Sequence, residues 1–122
     1  MSQSSLHANA FYKDVAKNRK VWGIRDKVGA PAPKGDGGKR AMPFWSTIQR
    51  AQQVVANSEA YSGFDTFELS WDVFRDKWLV GLEQDGLLVG VNWSGQTAVG
   101  YDVEPATVKE AIEFQMKLEE NA

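Results

Sequence analysis

The spacing of apolar positions divides the chain into alternating helices and strands. Ala8, Phe11, Tyr12 and Val15 recur at three and four residues, with Lys13, Asp14 and Lys17 on the other side. That pattern predicts an amphipathic first helix over residues 5–18. Val21-Trp22-Gly23-Ile24-Arg25 is short and rich in β-branched and aromatic side chains, so it reads as a strand. Residues 27–39 carry Gly29, Pro31, Pro33, Gly35, Gly37 and Gly38 and read as a flexible loop. A second strand is expected over residues 40–45. Pro43 removes a ladder donor from it, which places it at a sheet edge or a strand end.

Ser46 followed by Gln49 has the form of a capping box, opening a helix with Ile48, Ala51, Val54 and Val55 as its apolar stripe. Asn57-Ser58 and Ser62-Gly63 break the chain, and residues 64–69 form a third strand. Ser70 is placed to cap a helix carrying Trp71, Phe74, Trp78 and Leu82 on one face. Asp72 suits the positive end of its dipole, and Gly86 suits a left-handed stop. Residues 87–93 are apolar or small on both faces, which predicts a central strand. Ser94-Gly95-Gln96 makes a tight turn, and residues 97–103 return as the hairpin partner. Pro105 opens the last helix, faced by Val108, Ala111, Ile112, Gln115 and Leu118. The order predicts one α+β domain over residues 1–122: a mostly antiparallel sheet of about five strands packed with four helices. Residues 1–4 and 119–122 are expected to fray.

Composition narrows the chemistry more than the fold. A chain of 122 residues, 43% hydrophobic and 25% charged, is ordinary for one globular domain. It has no cysteine, which excludes disulfides, thiol nucleophiles and thiolate metal sites. No apolar run approaches the roughly 18 residues a membrane span requires. Met1-Ser2-Gln3-Ser4-Ser5 lacks the basic and apolar regions of a signal peptide, so a cytoplasmic location is expected. On that expectation the sequon Asn92-Trp93-Ser94 is chance. The net charge of -2 hides an asymmetry. Residues 1–50 hold ten Lys/Arg against three Asp/Glu, and residues 51–122 hold four against thirteen. The simpler reading is that the halves interleave in space; the sharper one is a basic face for nucleic acid or an acidic partner.

Catalytic constellations are poorly served. His7 is the only histidine and reads as an exposed residue at a helix start. One histidine and no cysteine leave only hard oxygen sites for a metal, and Asp65, Glu68, Asp72 and Asp76 lack the spacing and central glycine of a calcium loop. No metal or cofactor is therefore expected. Residues 34–39 are glycine-rich and flanked by lysine, but they lead into a strand where a phosphate loop leads into a helix, so a hairpin connection is the better reading. Ser94 lacks a nucleophile-elbow pattern, and no histidine is expected near it. Of five tryptophans, Trp71, Trp78 and Trp93 read as core. Trp22 and Trp45 sit in apolar strand runs and read first as core or half-buried wedges; if any tryptophan is a site it is one of these two, near the basic loop, where Arg25, Lys39 and Arg40 could join them as a binding set.

Three blocks carry a resemblance. They are residues 21–25; Met42-Pro43-Phe44-Trp45 leading into residues 46–51; and residues 74–90, with Trp78-Leu79-Val80-Gly81-Leu82 before Asp85-Gly86-Leu87-Leu88-Val89-Gly90. Together they resemble the bacterial domain-of-unknown-function family numbered 2750, over about residues 9–105. The resemblance implies a small α+β domain of a Gram-negative bacterium and no reaction. The strand–Pro–aromatic–Ser/Thr–helix unit is also similar to that of some toxin-immunity and secretion-associated domains. The residues point to a non-enzymatic interaction or ligand-binding module, with a protein partner or a small anionic ligand. A nucleic-acid binder using the basic first half is the alternative. An immunity-like domain, or an enzyme using carboxylates, cations and Tyr12, Tyr61 or Tyr101, ranks below both. Homodimerisation stays open.

Overall fold

Two sheets are bridged backbone to backbone at a pair of tryptophans. The computed structural model describes residues 2–35 and 37–121. Met1, Asp36 and Ala122 lie outside them, and with them the outermost ends of the expected fraying and the middle of the glycine-rich run. Helix α1 spans Gln3–Asn18, capped by Ser2 Oγ accepting from the Ser5 N–H and stopped by left-handed Arg19. Strand β1, Lys20–Arg25, pairs antiparallel with β3, Asp65–Ser70, from Lys20↔Ser70 to Arg25↔Asp65. The second sheet has the order β2-β4-β5, with β2 Ala41–Phe44, β4 Leu88–Ser94 and β5 Val99–Val103. Trp22 and Trp45 join the sheets, each donating its backbone N–H to the other's carbonyl at 2.8 Å.

β4 is central, as its apolar faces predict, and Pro43 lies in edge strand β2. The five strands are mostly antiparallel but form two sheets, and β2 runs parallel to β4. A parallel neighbour needs a long crossover. The helix at Ile48–Asn57, β3 and the helix after it supply it. The glycine-rich segment does not connect β1 and β2 as ladder partners. It folds on itself through the Lys34↔Arg40 bridge, with the Gly35 N–H donating to Lys39 O at 2.9 Å.

Helix α2 spans Ile48–Asn57, and its cap is Thr47, whose Oγ1 accepts from the Arg50 N–H at 3.2 Å. Ser46, the expected cap, is buried one residue earlier. Its hydroxyl donates to Asp14 Oδ2 at 2.8 Å and its N–H to Asn92 Oδ1 at 2.9 Å. Ser70 caps as expected, accepting from the Val73 N–H. The helix it opens is not uniform: α3, Trp71–Val73, passes into a π turn, Phe74–Trp78, and then α4, Leu79–Gln84. The wider turn brings Phe74 and Trp78 edge-on to Phe44, at ring separations of 5.0 and 5.8 Å. Gly86 ends it with φ +71. Helix α5, Pro105–Glu120, buries Val108 and Ile112, with Met116 packed behind them. Leu118, expected on that face, is half exposed, because burial follows the four-residue step from Val108. Regular helix begins at Gln3 and runs to Glu120, so it enters both segments expected to fray. No helix among the described residues is long and apolar enough to cross a membrane.

β1 divides the apolar interior into two clusters. Val21 faces a larger one with Phe11, Phe74, Val91 and Ile112, while Ile24 faces a smaller one with Trp45, Val54 and Trp93. Strand alternation would put Trp93 on the Val91 side. Asn92, with φ 51, creates an irregularity between Val91 and Ser94 and turns Trp93 to the opposite face. There the indole lies over Gly90 and Gly100, where a Cβ would collide with the ring. Its N–H donates to Asp102 Oδ1 at 3.0 Å, and the Trp93 carbonyl accepts from Trp45 Nε1 at 2.8 Å.

Two glycine substitutions should therefore differ in sign. Gly90→Ala drives a methyl into the Trp93 ring and should cost about 3 kcal/mol, the upper range for overpacking. Gly81→Ala meets nothing within 4 Å in a helix and should stabilise by about 0.5–1 kcal/mol. Urea denaturation monitored by circular dichroism measures both.

Candidate binding site

The five residues suggested by sequence do not form one surface. Arg25 lies on the other face of β1 from Trp22, three positions away. Its guanidinium sits 4.9 Å from the centroid of the Phe67 ring, which Trp78 stacks from 5.4 Å. Lys39 and Arg40 lie at the start of β2, away from the tryptophan pair at its end. Lys39 Nζ is 3.4 Å from Glu104 Oε1, and Arg40 Nη1 donates to Ala32 O at 3.0 Å. Trp45 is 0% exposed and donates its indole N–H inside the protein, so it offers no surface to a ligand. The structure brings Trp22 and Trp45 together and leaves the three cations elsewhere. Basic and acidic halves interleave where Lys39 meets Glu104 and where Lys20 Nζ lies 3.6 Å from Glu68.

Trp22 borders a surface cleft. It is partly buried against the smaller cluster and forms one wall of a cleft of about 370 Å³. Asn18, Lys20, Thr47 and Gln49 contribute to the other walls. β1 supplies Lys20 and Trp22 on one face, two residues apart, and the entrance of α2 supplies Thr47 and Gln49. The Trp22 indole N–H has no protein partner among the described residues. The cleft thus combines an aromatic face, an ammonium group and two carboxamides.

A polar seam under α1 escaped the sequence reading. Asn92 Nδ2 donates to the His7 carbonyl and to Ser46 Oγ, both at 3.0 Å. His7 Nδ1 lies 3.3 Å from Ser94 Oγ, so the histidine is neither isolated nor remote from Ser94. Asp14 accepts from Ser46 rather than from His7. The signal available in sequence was the seven-residue spacing of His7 and Asp14, two helical turns on one face. Burial pushes the Tyr12 and Tyr61 hydroxyls above their ordinary value, away from proton transfer at neutral pH. Asp76 is lowered by its hydrogen bond from Arg75 on the surface. Among the described residues no group of three His, Cys, Asp or Glu is placed to hold a metal ion.

These placements make a solvent test direct. Acrylamide should quench Trp22 and leave Trp45 dark to it, so Trp22→Phe should remove a large share of the quenchable fluorescence. Equal quenching in Trp22→Phe and the parent protein would contradict the cleft. A protein-family model described as "Protein of unknown function (DUF2750)" matches residues 8–112. No curated protein matches the chain.

Proposed function

Starting from the chain's membership of the DUF2750 family, we propose that it is a non-enzymatic binding module whose cleft beside Trp22 takes a small aromatic anion. The observation that carries this reading is the partly exposed Trp22 lining a cleft of about 370 Å³ together with Lys20, Asn18 and Gln49. That size falls within the range of about 300–1,000 Å³ typical of small-molecule sites. A planar ring stacks on the indole, Lys20 meets the negative charge, and the carboxamides fix the ring's orientation. Lys20 is exposed and paired only loosely with Glu68, so an entering anion displaces a weak surface contact. A cytoplasmic, bacterial setting belongs to the same proposal.

Titration with benzoate and nicotinate tests the reading. Saturable quenching of tryptophan fluorescence is expected, and Trp22→Ala should weaken it about tenfold or more, the scale of lost aromatic stacking. Lys20→Gln should weaken anions and leave the neutral amide nicotinamide unchanged. Absence of saturable binding to every ring tested, or equal binding by Trp22→Ala, overturns it.

A further inference from the structure

α2 lines a second space on its other flank. Arg50, Gln53, Val54 and Asn57 follow at three- and four-residue steps and share one helical face. That face meets Trp93 and Ser94 at the end of β4 across a cavity of about 60 Å³. The Arg50 side chain has no ion pair or hydrogen bond among the described residues, nor do the carboxamides of Gln53 and Asn57. Ser94 also lines the cavity, and its hydroxyl lies 3.3 Å from His7 Nδ1. No acidic side chain lines the cavity. Trp93 has its indole N–H on Asp102 and its carbonyl on Trp45, so the wall it contributes is apolar ring. Val54 adds to that apolar wall.

We propose that this cavity is a binding site for a short-chain monocarboxylate, independent of the Trp22 cleft. A guanidinium without a carboxylate partner, in a half-buried position with neutral donors around it, is arranged for an anion. The planar fork of arginine matches the two oxygens of a carboxylate. At roughly 10–15 Å³ per water, the cavity holds a species of only a few heavy atoms. Val54 and Trp93 receive a methyl or ethyl group, and the carboxylate takes Arg50, a carboxamide and the Ser94 hydroxyl. An aromatic acid is too large, which separates this site chemically from the other.

Two-dimensional NMR with acetate, propionate, acetamide and inorganic phosphate as probes tests the assignment. Acetate should produce saturable shifts at the Arg50 Nε–H and at the Ser94 and Gly95 amides, and acetamide, its neutral isostere, should not. Arg50→Gln should weaken acetate binding at least about tenfold, the scale of a lost charge-assisted hydrogen bond. Gln53→Glu, at an exposed helix position, should abolish it by charge while the fold is kept, so the test stands even if the arginine variant unfolds. Trp22→Ala should leave acetate binding unchanged, whatever becomes of aromatic anions. Equal shifts with acetamide, undiminished binding in Gln53→Glu, or tighter binding of phosphate than of acetate each overturns the proposal.

Discussion

The left-handed backbone of Asn92 is the constraint on which the rest of the structure depends. It sits in the central strand, 1% exposed, with φ 51. Left-handed geometry costs about 1–2 kcal/mol for most residues, and asparagine tolerates it better than β-branched ones. The side chain offsets that cost by linking three elements. It accepts from the Ser46 N–H, donates to Ser46 Oγ, and donates to the His7 carbonyl in α1. A buried polar group with all its partners is worth keeping; one that loses a partner bears the full desolvation cost. The backbone flip and the polar seam therefore stand or fall together.

The flip decides where the largest side chains go. Without it, Trp93 would join Val91 in the larger cluster and leave the smaller one without its floor. With it, the indole covers two glycines, Gly90 on its own strand and Gly100 on the neighbour. Phe67 covers Gly23 in the other sheet in the same way. In both sheets a bare strand position receives an aromatic ring, and the ring then serves as a platform. Phe67 carries Arg25 over its ring and is stacked by Trp78. Trp93 forms a wall of the cavity beneath Arg50.

Local signals were readable in the sequence, and long-range ones were not. The helices, the Ser70 cap, the Gly86 stop and the central β4 each follow from a few neighbouring residues. The cap of α2 went to Thr47 because Ser46 was needed by Asn92 and Asp14, partners 46 and 32 residues away. The parallel pairing of β2 with β4 is likewise decided by contacts across half the chain. A core or half-buried place was legible for both Trp22 and Trp45 from their apolar neighbours, but which of the two would keep an open side was not. The difference lies in the carbonyl of Trp93, which becomes available to the Trp45 indole only after the turn at Asn92. Arg50 gave no signal at all: its helical spacing with Gln53 and Asn57 looks like a solvated face until Trp93 is placed opposite.

Both candidate sites adjoin α2 for one reason. Among the described residues the two sheets exchange backbone hydrogen bonds at one tryptophan pair, so their ladders do not merge into one continuous sheet there. α2 packs over the junction with Ala51 and Val54, one narrow stripe of a ten-residue helix. Its start leans towards β1 and its last two turns towards β4. The stripe is too narrow to seal both flanks, and each flank keeps a hollow bounded by an indole and by polar side chains. A wider apolar face on α2 would fill the hollows and gain burial energy of roughly 25 cal/mol per Å². The chain instead places Gln49, Arg50, Gln53 and Asn57 there. Gln49, Gln53 and Asn57 stay exposed to water, and the hollows on either flank of α2 stay open because of it.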